Sequence, residues 1–82
     1  MAETRSDGYN GWDNWETWNV ALWIGNDEGL YHHAKEFKDA ATPYESFAAS
    51  LRECDVMETP DGAAYNDSGL DLDALNELIK EL

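Results

Sequence analysis

Apolar residues recur at helical spacing in four separate stretches, and polar, turn-forming residues separate them. In the first stretch Trp15, Trp18, Ala21 and Leu22 share one face, which predicts a helix from about Trp15 to Ile24. Val20, Trp23 and Ile24 widen that stripe until the helix is apolar nearly all round, as suits an element at the centre of a core or under a partner. Asp13 and Asn14 are both good N-caps, and Asp13 with Glu16 makes a D-x-x-E variant of the capping box. Gly25 fits the position just past the helix end.

Asn26 and Asp27 cap a second helix, with Glu28 in its first turn and Leu30, Tyr31, Ala34 and Phe37 keeping the period. Lys35 and Lys38 suit its last turns, and it should fade near Ala40 or Ala41. Thr42-Pro43-Tyr44-Glu45 is the clearest local signal in the chain. Thr42 caps, Pro43 takes the first helical position and Glu45 closes a T-x-x-E box. The third helix then runs to about Glu53, with Tyr44, Phe47, Ala48 and Leu51 facing inward. Residues 55–69 hold the turn signals Pro60-Asp61-Gly62 and Asn66-Asp67-Ser68-Gly69. Ala63-Ala64-Tyr65 between them is too short for a confident strand, and Val56 or Tyr65 would pin this long loop to the core. The last helix starts near Asp71 and buries Leu72, Leu75, Leu78, Ile79 and Leu82. Residues 1–11 are polar and aperiodic, a flexible arm in which Tyr9 is the first candidate anchor. The expectation is an all-α fold, one small domain over residues 12–82, with about four short helices and a long loop before the last.

Composition adds one strong fact. The 82 residues carry 18 acidic and 5 basic side chains, a formal net charge of −13. Direct nucleic-acid binding needs Lys and Arg to displace counterions, so it is disfavoured. A polybasic membrane-surface role is disfavoured too. With 43% hydrophobic residues and four Trp, disorder is not the reading. No apolar run reaches the ~20 residues of a membrane span and no signal peptide is visible, so the expected location is the cytoplasm. A single cysteine, Cys54, excludes an internal disulfide framework,.

The segment from Tyr9 to Tyr31 includes Asn10-Gly11-Trp12, Asn14-Trp15-Glu16-Thr17-Trp18-Asn19-Val20-Ala21-Leu22-Trp23-Ile24 and Asn26-Asp27-Glu28-Gly29-Leu30-Tyr31. It resembles a family of small uncharacterised domains found in bacteriophages, plasmids and some bacterial and archaeal genomes. The mark of that family is an N-G-W-x-N-[YW]-E-T-W-N-V-A-L-W-I-x-N-D-E-G-L-Y box. Pro60-Asp61-Gly62, Leu70-Asp71 and Leu75-Asn76-Glu77-Leu78 resemble it more loosely. The resemblance implies a shared fold and mobile-element ancestry, and it carries over no catalytic residue.

The charge is uneven along the chain. Residues 1–29 carry six acids against Arg5, residues 30–53 four acids against three bases, and residues 54–82 eight acids against Lys80. Such a field repels nucleic acid and attracts the proteins that bind it. The candidate partner-binding surface is Asp55, Glu58, Asp61, Asp67, Asp71, Asp73, Glu77 and Glu81. The expected partner is a protein, basic and nucleic-acid-binding, which this chain engages as an acidic module. Mimicry of nucleic acid against a restriction or CRISPR complex is one such use. The alternative is a non-enzymatic accessory domain whose acidity serves solubility or salt adaptation. Homo-oligomerisation stays open.

The four Trp are expected to fill the core, since a small chain needs large apolar side chains. Trp12 and Trp23 are the candidates for aromatic docking or a dimer seam. Enzyme chemistry is not expected. His32 and His33 point about 100° apart on a helix and cannot share one ion with Glu36. Asp67, Asp71 and Asp73 lack the spacing of a calcium loop. Cys54 has no neighbouring base and reads as a buried or half-buried structural thiol. No cofactor, metal or catalytic residue is assigned.

Overall fold

The structure is a computed structural model and describes residues 11, 12 and 14–82. The expected capping role of Asp13, the anchor at Tyr9 and nearly all of the N-terminal arm lie outside the described residues. Among the described residues the architecture is all-α. Four helices follow in order: α1 (Trp15–Asn26), α2 (Glu28–Lys35), α3 (Pro43–Glu53) and α4 (Leu72–Lys80). α1 packs most extensively on α2, and α3 on α4, while α2 touches both α3 and α4.

α1 begins where Asn14 accepts the Thr17 amide on its side chain, at 2.9 Å. Its end differs from expectation. Gly25 lies inside the helix, and Asp27 closes it in an extended conformation (φ −100°, ψ 118°). No left-handed residue is needed there, so no glycine is either. The same Asp27 opens α2. Its backbone N–H reaches the Trp23 carbonyl, and its carboxylate accepts the Leu30 amide at 3.0 Å. One residue thus replaces a loop and fixes the α1–α2 corner.

α2 stops at Lys35, earlier than its periodicity suggests. The chain continues in i→i+3 turns, with Phe37 bonded to Ala34 and Ala40 to Phe37, the tightening common at helix ends. Phe37 still packs on the core from this turn.

α3 starts at Pro43 as expected, but Thr42 makes no side-chain cap bond. The free Tyr44 amide is satisfied from across the fold, by Asn76 Oδ1 of α4 at 2.7 Å. At the other end the backbone forms a Schellman closure. Val56 N bonds to Leu51 O, Asp55 N bonds to Arg52 O, and Asp55 takes φ +64°. Glycine usually holds that position. Cys54 is exposed on this cap, not buried, and Val56 is 37% exposed, because the closure turns both away from the core.

The core is Val20, Ala21 and Ile24 of α1, Ala34 of α2, Tyr44, Phe47 and Leu51 of α3, and Leu75 and Ile79 of α4. Ala63, Tyr65 and Leu70 of the intervening loop complete it. The tryptophans do not fill it. Trp12 and Trp15 are half-buried at its edge, and Trp18 and Trp23 are also half-buried. The helix buries the side of Val20 and Ile24 and leaves the indoles around it. Leu72, expected inside, is 39% exposed, since it lines an open groove beside α3 and not the packed interior.

Candidate functional site

Residues 54–71 carry five of the eight candidate acids, and polar side chains at and near the start of α1 hold this segment down. Thr17 and Asn19 are almost wholly buried although both are polar, as is Thr59 of the loop. Buried polar groups need partners, and each finds one across the fold. Thr17 donates its hydroxyl to Asn14 Oδ1 at 2.7 Å and accepts the Asp71 backbone N–H at 3.0 Å. Asn14 donates its amide to the Gly69 carbonyl. Asn19 accepts the Thr59 hydroxyl at 2.6 Å and donates its amide to Asp61 Oδ2 at 2.9 Å. Trp23, one turn further along α1, donates its indole N–H to the same Asp61 oxygen at 2.9 Å.

The loop is shaped to meet those groups. Thr59-Pro60-Asp61-Gly62 is a turn, closed by Gly62 N on Thr59 O, with Gly62 at φ +97°. Pro60 presets the turn, and the positive φ suits glycine. The flanking chain pairs weakly with itself, through one antiparallel bridge between Glu58 and Ala64 and a bond from Tyr65 N to Met57 O. Tyr65 pins the loop to the core, buried to 3% exposure. It stacks edge-on against Phe47, and its carbonyl accepts the Tyr44 hydroxyl at 2.7 Å. Burial raises the Tyr44 pKa strongly, helped by Tyr65 and Glu45. Burial, then Asp27, pushes Tyr65 up to about 12.

The eight candidate acids divide by what their carboxylates do. Asp61 is held by Asn19 first and Trp23 second, and both bonds lower its pKa. Asp67 accepts the Gly69 amide at 2.7 Å, closing an Asx turn,. Asp71 caps α4 by accepting the Ala74 amide at 3.1 Å. These three are structural first. Asp55 sits at the α3 closure and Glu58 on the bridge, both exposed. Asp73, Glu77 and Glu81 are exposed and fall four residues apart at the α4 end of the chain. The two intervals span roughly one helical turn each, about 6 Å of rise. The fold therefore places three of the eight in one row and commits three others to holding the loop.

Trp23 is half-buried, and its indole N–H is already engaged by Asp61. Trp12 packs on the core margin. His33 is also occupied: its Nε2 lies 2.9 Å from Ser50 Oγ of α3, and its ring packs against Phe37 and Phe47. Among the described residues, no three His, Cys, Asp or Glu side chains come together as metal donors.

The buried polar ties of α1 are the part that periodicity misses. Asn14 is the cap of α1, and Thr17 and Asn19 are polar interruptions within its largely apolar run. That interruption is the signal that they are bonded to something. Among the described residues no helix is long and apolar enough to cross a membrane.

A family described as "Family of unknown function (DUF7249)" matches residues 5–82. No curated protein and no solved structure matches the chain.

Proposed function

The chain belongs to that family, and from this premise we propose that it is an acidic protein-binding module of mobile-element origin. In this reading it binds a basic, nucleic-acid-handling host protein as a mimic of nucleic acid. A restriction or CRISPR defence complex is the partner class, the setting is the host cytoplasm, and no enzymatic step is involved. The observation that carries the reading is the way the acidic segment is held. Eight acids against one base lie in residues 54–82, and hydrogen bonds to Asn14, Thr17 and Asn19 tie their loop to the start of α1. A decoy gains affinity when its charges are already fixed in place, because less ordering is lost on binding.

The row Asp73, Glu77 and Glu81 is the part to change. Its carboxylates are exposed, so their amides should leave the fold intact. The triple variant Asp73→Asn, Glu77→Gln, Glu81→Gln is expected to bind the host complex at least ~10-fold more weakly at low salt. Binding of the unaltered chain should also weaken steeply as NaCl rises. Equal binding by both chains across the salt range would refute the proposal.

The alternative, an accessory domain whose acidity serves solubility or salt, draws on the spread of acids into Glu45 and Glu53 of α3, both exposed. It requires the melting temperature to climb between low and molar salt. A flat curve counts against it.

A further inference from the structure

Among the described residues, Val56, Met57 and Leu72 are the large hydrophobic residues most exposed to solvent, at 37%, 48% and 39%. They are not scattered. All three line one groove of about 310 Å³ between the outer face of α3, the chain after it and the start of α4. Ala48 of α3 and Leu70 of the loop continue its apolar wall. Single exposed apolar residues are ordinary on a protein surface, but a convergent set in one concavity marks an interaction site.

The rim says what fits. Among the described residues, Glu45 and Asp67 line the groove, with Arg52 as the cation there. Asp55, Glu58 and Asp73 are exposed and adjacent in sequence to the apolar residues but do not line the groove. A second copy of this chain would bring the same acids against these, at a formal charge of −13 each, and like charges facing each other are penalised. A basic segment meets the opposite condition. The volume has room for a few aliphatic side chains, at the small end of ligand pockets.

We propose that this groove anchors a basic amphipathic segment of a protein partner. Aliphatic side chains of that segment seat on Val56, Met57 and Leu72, and its Lys or Arg residues face the acidic rim. The mode is that of an amphipathic helix laid in a groove. The proposal rests on the protein-binding reading above and adds an apolar anchor to it, so the acids supply steering and the groove supplies residence.

The test uses the full chain, isotope-labelled, and two synthetic peptides of about 18 residues made only of Leu and Lys. One carries Leu at helical i, i+3, i+4, i+7 spacing, and the other has the same composition with Leu scattered. The patterned peptide is expected to shift the amides of Ala48, Arg52, Met57 and Leu72 and to bind at least ~10-fold more tightly than the scattered one. Met57→Glu with Leu72→Glu should abolish that advantage. Met57→Glu alone, at the most exposed of the three sites, should reduce it if the double variant unfolds. Equal binding of both peptides, with shifts spread over Asp73, Glu77 and Glu81, would overturn the groove and leave the acidic-module proposal standing. Absence of binding by either peptide would overturn both. A dimer of the chain that Met57→Glu dissociates would assign the groove to a second copy and also overturn the proposal.

Discussion

Asn19 is a small polar side chain in the middle of an apolar helix, and two distant groups depend on it. Its carbonyl takes the Thr59 hydroxyl and its amide holds Asp61. Asn19→Leu would leave the Thr59 hydroxyl buried without that acceptor and release one bond on Asp61. A buried group that loses its partner costs about 1–3 kcal/mol. The expected result is a loss of that size in urea unfolding, with faster amide exchange at Ala63 than in α3. Asp61 adds a pH dependence. Its bonds from Asn19 and Trp23 lower its folded pKa, so its stabilising effect is present above the unfolded carboxylate value. It is lost as pH falls through the folded one. Trp23 reports this directly, because its indole N–H donates to the titrating oxygen. Its fluorescence should shift in the acid range, and that shift should be missing in Asp61→Asn. An unchanged acid titration in Asp61→Asn would refute the assignment. The converse case is Asp55, which adopts φ +64° at the α3 closure. Asp55→Gly should raise stability by roughly 0.5–1 kcal/mol, since glycine takes that conformation without steric cost.

At the level of elements, periodicity and capping chemistry located all four helices, overrunning only α2, which ends at Lys35 and not near Ala40 or Ala41. Asn14, Asp27 and Asp71 cap as their types suggest. At α3 a tertiary partner displaced a local one. Thr42 and Glu45 have the sequence of a capping box, yet Asn76 from α4 supplies the acceptor for the Tyr44 amide. No local pattern encodes a bond across 32 residues. Gly25 read as a helix end because glycine so often is one, whereas Asp27 ended α1 in an extended conformation. Gly25 therefore sits in a helix with nothing within 4 Å of the Cβ it lacks. Gly25→Ala should stabilise by about 0.5–1 kcal/mol, seen as a higher urea midpoint with an unchanged slope. A lower midpoint would mean that the α1–α2 corner needs the glycine. The indoles misled for another reason. Their size suggested the core, but α1 turns Val20 and Ile24 inward and sets the tryptophans at the margin.

Across the whole molecule, a nearly apolar helix supplies polar ties to an acidic loop, and α3 and the loop share two buried tyrosines. Tyr44 and Tyr65 both have raised pKa values, Tyr65 to about 12, with burial the main cause. Their raised folded values mean that stability is fully present below the unfolded tyrosine pKa of about 10 and is lost as pH rises through the folded values. Alkaline unfolding above pH ~10 should thus be steep, and Tyr65→Phe should soften it. The charge totals were legible from composition. Which acids stand free was not, because Asp61, Asp67 and Asp71 are recruited by backbone and side-chain donors that only the fold brings near. The free row, Asp73, Glu77 and Glu81, is where the functional claim rests. The direct measurement is displacement of a DNA duplex from the host nucleic-acid-binding complex by increasing amounts of the chain. The unaltered chain is predicted to displace the duplex. The Asp73→Asn, Glu77→Gln, Glu81→Gln variant, equally folded, is predicted to need at least ~10-fold more. Binding that leaves the duplex in place, or equal displacement by both chains, would contradict the account.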